Sequence, residues 1–384
     1  MLYVIFLLIC GDKMTLALAL LALGEISLCL ELGNRLLGSG VRTPAMALVK
    51  MCIIVFAFFL LAMPVYFMFI GSESALGRTI VYTWSLAGLV ILLHFLFPYR
   101  FEISRIRQSC LVQCDNTVIS NVVLHDECVS VESLAAGPDG LRFLVVSDLH
   151  CNKREKLDLI KSAFAKLADE TFDAAFVLGD LSENSGILPE LMGTLANLPN
   201  RHGIFLVRGN HDFLSGRQIV IGDLAKRHSI KILSNTWSDI PGLGIRLVGL
   251  EYPPGQIQLP SKSECSMTLG LTHTPDNIIL FSRLGVDIVV AGHTHGGWFT
   301  LPVVGTVLVP TKLGRFINKG WFRRGRTLMY ITSGLPYFTR KRGRAGEILR
   351  LTIKPAKTKE GLAQVENPTN SGRDFYVAKD ANNH

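Results

Sequence analysis

Charge is what the first quarter of this chain lacks. Met51 to Ile70 and Thr79 to Pro98 hold no Asp, Glu, Lys or Arg, and Thr15 to Leu30 holds only Glu25. Runs of about 20 residues without charge reach across a bilayer's hydrocarbon, and a buried core helix seldom stays apolar on every face. The chain as a whole is 49% hydrophobic, 18% charged and has a mean hydropathy of +0.34, which argues against a purely soluble enzyme. The expectation is a membrane region over residues 1–98 with about three transmembrane helices. The first is an imperfect span from Met1–Cys10 and Thr15–Leu30. Arg35, Arg42 and Lys50 follow it, and Arg100, Arg105 and Arg107 follow the third, while the loop Gly71–Arg78 holds only Glu73 and Arg78. The positive-inside bias then predicts a multi-pass membrane protein, with everything beyond Arg100 facing the cytoplasm.

Other absences narrow the chemistry. Among eight cysteines, Cys110 and Cys114 have no second pair at zinc-site spacing, so neither a thiolate zinc module nor a disulfide scaffold is expected, and the thiols read as mostly reduced. There is no Gly-x-Ser-x-Gly elbow to carry a serine nucleophile. Acidic residues are also missing from Lys312 to Arg344, which holds ten Lys or Arg with Phe316, Ile317, Trp321, Phe322, Tyr337 and Phe338 interleaved. Such a stretch can lie on an anionic membrane, hold a phosphate headgroup or track a nucleic-acid backbone, or be a solvated basic face.

What is present begins with a connector over 99–140, with extended pieces at Thr117–Val123 and Cys128–Leu134. After Gly140, apolar runs predict strands at Leu141–Val146, Ala174–Leu178, Ile204–Val207, Ile245–Leu250, Ile278–Phe281, Asp287–Val290, Val303–Val309, Thr327–Ile331 and Glu347–Ile353. Glu155–Ala168 reads as a helix, with Leu157, Ile160, Phe164 and Leu167 on one face. The fold class is therefore α/β, a two-sheet domain over residues 141–355 with helices outside. The tail, 356–384, is polar and predicted disordered.

Polar residues recur where the apolar runs end. Asp148 and His150 follow one run, Asp180 another, then Asn210, His211 and Asp212, then His273, then His293 and His295. In α/β sheets that edge is where sites are assembled. On an extended segment, residues two apart point the same way, so Asp148 with His150, and His293 with His295, can reach one ion. Gly179, Gly209 and Gly292 let the backbone come close. Each fragment alone is weak; together they predict a metal centre with two ions.

In order and spacing, Asp148-x-His150, Gly179-Asp180, Gly209-Asn-His-Asp212, His273 and Gly292-His-Thr-His295 resemble the calcineurin-like metallophosphoesterases, from Leu141 to about Leu351. Within them the chain is most similar to the bacterial membrane-associated branch, which includes enzymes cleaving the pyrophosphate of UDP-2,3-diacylglucosamine. The resemblance implies a two-sheet sandwich flanked by helices and two divalent ions, Mn2+ foremost, with Fe, Zn and Mg open. It puts Asp148, His150 and His295 on the first ion, Asn210, His273 and His293 on the second, and Asp180 between them. His211 would touch the phosphoryl oxygen and protonate the leaving group. Asp212 would be a second catalytic residue orienting His211, or simply a turn former.

Two such ions can share a water, lower its pKa and direct the resulting hydroxide at phosphorus. The expected function is hydrolysis of a phosphoester or pyrophosphate. The predicted membrane tether favours a phosphorylated or nucleotide-linked lipid as substrate and membrane lipids as partners; a nuclease gains nothing from it, so no nucleic acid is expected. The alternatives are a phosphodiesterase for soluble substrates such as cyclic nucleotides, and a non-enzymatic membrane scaffold or sensor. Cys151 is expected to fill space or to neighbour the ions. Arg208 is expected to meet substrate phosphate or form a salt bridge.

Overall fold

The computed structural model of the chain describes residues 103–105, 117–119, 122–131, 134, 139–251, 254–259, 265–301, 305–335 and 346–355. The three apolar runs, the polar tail and the last four basic residues of the 312–344 stretch lie outside the described residues. Among the described residues no helix is long and apolar enough to cross a membrane.

In chain order the elements are β1 (Thr117–Ile119), β2 (Val122–Val131), β3 (Leu141–Val146), α1 (Arg154–Ala165), β4 (Ala174–Val177), α2 (Leu188–Ala196), β5 (Ile204–Leu206), α3 (Arg217–Arg227), β6 (Lys231–Ile232), β7 (Thr236–Ile240), β8 (Ile245–Leu250), β9 (Met267–Thr272), α4 (Ile278–Arg283), β10 (Ile288–Ala291), β11 (Phe299–Leu301), β12 (Gly305–Leu308), β13 (Gly320–Arg324), β14 (Thr327–Ile331) and β15 (Gly346–Pro355). The first sheet runs β1-β2-β15-β3-β4-β5-β6. The second includes β13-β14-β10-β9-β8-β7 in that order. In the first, β3, β4, β5 and β6 are mutually parallel; in the second, β8, β9, β10 and β14 are.

Alternation along the central strands explains the layers. Leu144 and Val146 of β3, Ala175 and Val177 of β4 and Leu206 of β5 pack against Leu157, Ile160 and Phe164 of α1, Leu191 and Leu195 of α2 and Ile221 of α3. The intervening residues Phe143, Val145, Phe176 and Phe205 face the other way, onto Leu247, Leu269, Leu271, Val290 and Tyr330 of the second sheet. Phe143 and Phe176 stack with ring centroids 5.0 Å apart.

Three sequence expectations change. Part of the 99–140 connector is sheet: β2 is ten residues long, pairs parallel with β15 along its whole length, and buries Val122, Leu124, Val129 and Val131. Ile278–Phe281, expected as a strand, is helix. Thr274 Oγ1 accepts from the Asp276 N–H (3.3 Å), Pro275 opens a turn of 3-10 helix, and Ile278 and Phe281, three residues apart, are fully buried on one face. In the basic stretch, Trp321 and Phe322 are core residues of β13 rather than a surface for lipid.

Gly297–Asn318 belong to a second compact unit. Within it β11 and β12 pair antiparallel, and the buried Arg315 donates to the Thr306 carbonyl (2.9 Å) and lies over the Phe316 ring.

Candidate metal centre

The seven expected ligands all follow parallel strands. Asp148 and His150 follow β3, Asp180 follows β4 and Asn210 follows β5 in the first sheet; His273 follows β9 and His293 and His295 follow β10 in the second. The backbone that aims them is not extended. Asp148 (φ 54), His150 (φ 38), Asp180 (φ 53), His293 (φ 71) and His295 (φ 53) are left-handed, a conformation that costs a non-glycine residue about 1–3 kcal/mol and clusters at functional sites. Backbone hydrogen bonds hold it: Asp148 N–H donates to Gly179 O (3.0 Å), and His150 N–H to Asp180 O (2.9 Å). Two glycines are required by close approach. A Cβ on Gly209 would lie 2.2 Å from Asp180 Oδ1, and one on Gly292 would lie 2.0 Å from Ser147 Oγ.

The turns bring the side chains into two clusters whose ligand atoms all lie within 4.8 Å of one another: Asp148 with His150 and His295, and Asp180 with His273 and His293. Asp180 Oδ2 sits between them, 3.5 Å from His150 Nε2 and 3.2 Å from His273 Nε2. Asp148 Oδ1 is 3.7 Å from His295 Nε2 and 3.9 Å from His273 Nε2. Asp148 Oδ2 accepts from Ser147 Oγ (2.7 Å) and the His293 N–H (3.0 Å). The His273 Nδ1 to Leu178 carbonyl distance of 2.7 Å leaves Nε2 for the centre.

These residues fit cations. Asp148 Oδ1 and the Asn210 amide oxygen are buried without a hydrogen-bond partner among the described residues, which is costly unless a ligand completes them. Burial pushes the Asp148 and Asp180 carboxyls up, but the surrounding imidazoles outweigh it and hold both below the usual range. Burial alone would lower His273, yet Asp180 and Asp148 push it up to about 10; burial and the His273 charge press His293 down to about 3. Two buried carboxylates thus draw positive charge into the centre, and oxygen and imidazole donors without thiolate suit Mn, Fe, Zn or Mg.

His211 is brought to the rim. Its backbone N–H donates to Asp180 Oδ1 (2.8 Å), its Nε2 lies 4.0 Å from Asp180 Oδ2, and the side chain is 27% exposed. The ring's partner is a residue the sequence reading missed. Glu183 Oε1 lies 2.7 Å from His150 Nδ1 and 2.8 Å from His211 Nδ1, so one carboxylate oxygen serves a cluster histidine and the rim histidine together. Burial would lower the His211 imidazole, but Glu183 and Asp180 raise it above its ordinary value. The only signal in the sequence is an acid three residues beyond Asp180 in the same turn.

Asp212 does something other than orient His211. Its buried carboxylate accepts from the N–H groups of Asp180 (2.8 Å), Gly209 (2.8 Å) and Leu181 (2.9 Å), bracing the two turns that carry Asp180 and Asn210. Burial and the nearby Asp180 charge push it up to about 6. Arg217, at the start of α3, is also buried and donates to the carbonyls of His211 (2.9 Å) and Glu183 (3.4 Å). Arg208 forms a two-point ion pair with Glu251 (2.5 and 3.1 Å), the salt-bridge alternative in partly buried form. Cys151 is fully buried in the helix-side core, where burial pushes its thiol up to about 11.

The family pattern described as calcineurin-like phosphoesterase matches residues 141–297. The phosphodiesterase YaeI of Escherichia coli K12 is 30% identical over 205 residues, covering 50% of this chain and 74% of the relative. The chain belongs to the calcineurin-like phosphoesterases. An uncharacterised metallophosphoesterase of Campylobacter jejuni, Cj0846, is 28% identical over 209 residues, 52% of this chain; the match spans about half of that relative, 54%. A Danio rerio transmembrane protein with a metallophosphoesterase domain is 25% identical over 234 residues, 55% of this chain and 52% of the relative. In this calcineurin-like domain the His/Asp clusters form a dinuclear metal phosphoesterase site.

Proposed function

We propose that this calcineurin-like phosphoesterase hydrolyses a phosphoester or pyrophosphate bond in a phosphorylated or nucleotide-linked lipid, at the cytoplasmic face of the inner membrane. The observation that carries the hydrolytic part is Asp180 Oδ2 lying within 3.5 Å of an imidazole from each cluster. Asp148, His150 and His295 would hold one divalent ion, Asn210, His273 and His293 the other, and Asp180 both; Mn2+ is proposed first. When bound, such a pair supplies Lewis acidity to the phosphoryl oxygens and lowers the pKa of a water between them.

The chain's own residues do the rest. Glu183 Oε1 lies 2.8 Å from His211 Nδ1, a charge contact on that edge of the ring, and Nε2 faces the clusters, placed to give a proton to the departing oxygen. Asp212 and Arg217 hold the turns that carry Asp180, Asn210 and His211. The lipid part is supported by the charge-free runs before Pro98 and by the transmembrane character named for the Danio rerio relative. The name of the Escherichia coli relative supports diester cleavage.

The test is hydrolysis by the detergent-purified full chain, metal-loaded and chelator-stripped, against UDP-diacylglucosamine, phospholipids, an aryl phosphodiester and a cyclic nucleotide. Metal-dependent release of a lipid monophosphate or free headgroup is expected. Turnover of the water-soluble esters alone would overturn the lipid reading.

A further inference from the structure

Of the five large apolar side chains exposed among the described residues, three fall within residues 214–220, directly after the rim histidine: Leu214 (39%), Ile219 (65%) and Val220 (38%). The turn that carries Leu214 is tied to the site. Its N–H donates to the His211 carbonyl (3.3 Å), which also accepts from Arg217 in the first turn of α3 (2.9 Å). Ser215 (φ 58) and Gly216 (φ 73) are both left-handed, so the chain reverses there and leads straight into the helix. The helix does not need Ile219 and Val220 for its core, because Ile221, Leu224 and Ala225 already anchor its other side. Toward its far end, the same exposed side carries Lys226 and Arg227, with Asp223 the one acid in the helix.

We propose that the 214–220 segment is a membrane-contacting lip of the metal centre: Leu214, Ile219 and Val220 enter the acyl region of the bilayer while Lys226 and Arg227 meet anionic headgroups. The chemistry points to lipid rather than protein for two reasons. An apolar tip followed by basic residues on one side of a helix is the pattern of an interfacial helix, whose affinity adds buried apolar area to headgroup attraction. The chain also carries, before Pro98, charge-free runs that would keep this domain at a bilayer. A lip beside His211 would let a lipid phosphoester present its headgroup to the site while its acyl chains stay in the membrane. The inference rests on the lipid-linked reading of the substrate.

The experiment uses the full chain in vesicles of phosphatidylcholine and phosphatidylglycerol, with the photoreactive residue p-benzoylphenylalanine incorporated at Ile219 or, as control, at the exposed Asp158 of α1. Illumination should give a covalent lipid adduct at position 219 and little at 158. Equal adducts at both positions, no adduct at 219, or an adduct to a second copy of the chain would overturn the proposal. Adduct formation does not depend on turnover. Lipid adducts without lipid hydrolysis would leave the lip standing and sink the substrate reading; lipid hydrolysis without adducts would do the reverse. As a kinetic check, Ile219→Ser with Val220→Ser should raise KM for a long-chain lipid phosphoester about tenfold while leaving kcat and the KM for a soluble aryl phosphodiester unchanged. An equal rise for both substrates would contradict the lip.

Discussion

The two sheets bring unlike chemistry to one place. Strand ends of the first supply two carboxylates and one imidazole, Asp148, Asp180 and His150, and the turn after its β5 carries Asn210 with its amide oxygen buried; those of the second supply only imidazoles, His273, His293 and His295. Asp148 and His150 meet His295, and Asp180 meets His273 and His293, so these two clusters form only at the seam between the sheets, while a third, His150 with Glu183 and His211, comes from the first sheet's loops alone. The seam is fastened by the same groups that make the site: the His273 ring contacts the Leu178 carbonyl, and the His293 N–H donates to Asp148. Farther out, Arg208 with Glu251, Trp321 Nε1 with Glu127 Oε2 (2.9 Å) and Tyr330 Oη with Glu347 Oε1 (3.1 Å) tie one sheet to the other. Because packed interiors do not deform continuously, a shared core of aromatic and branched residues fixes the register to which the ligands are tuned.

The comparison is broken most severely at the residue common to both clusters. Asp180→Ala should lower kcat by roughly a thousandfold or more, with near-normal circular dichroism. His211→Ala leaves the clusters intact and should cost about 10²–10⁴-fold in kcat, with the metal content of the protein unchanged. Glu183→Gln loosens one cluster histidine and the rim histidine together; a loss of about 10–100-fold in activity or metal affinity is expected, read by kinetics beside metal titration. Arg208→Ala acts on the seam alone. It strands the nearly buried Glu251 and should destabilise the domain by about 3 kcal/mol in denaturant unfolding, a larger effect on stability than on turnover.

Much of this was legible in the sequence for a physical reason: parallel strands buried on both faces read as continuous apolar runs, and a ligand must sit where such a run ends. The runs before Asp148, Asp180, Asn210 and His293 are of that kind. β9 was visible only by its end, because Thr268, Gly270 and Thr272 dilute its apolar pattern; a Cβ on Gly270 would lie 2.8 Å from the Phe281 ring, so that position stays small. The Ile278–Phe281 run misled because four apolar residues suit a strand or a buried helix face equally, and the deciding cap at Thr274 lies outside the run. Asp212 left two readings open, histidine partner or turn former, and its hydrogen bonds match the second. Beside a histidine it can read as the histidine's partner, whereas the chain turns its carboxylate back onto three N–H groups and takes the partner from Glu183, 28 residues earlier. Contacts of that separation have no periodicity to announce them.

The most direct test of the seam is the metal stoichiometry of the purified full chain, wild type beside Asp180→Ala and His273→Ala, by elemental analysis after loading with Mn2+. Two ions per chain in the wild type, with loss of at least one in each variant, is the predicted result. Full retention of two ions by both variants, or a single ion in the wild type, would contradict a centre built jointly by the two sheets.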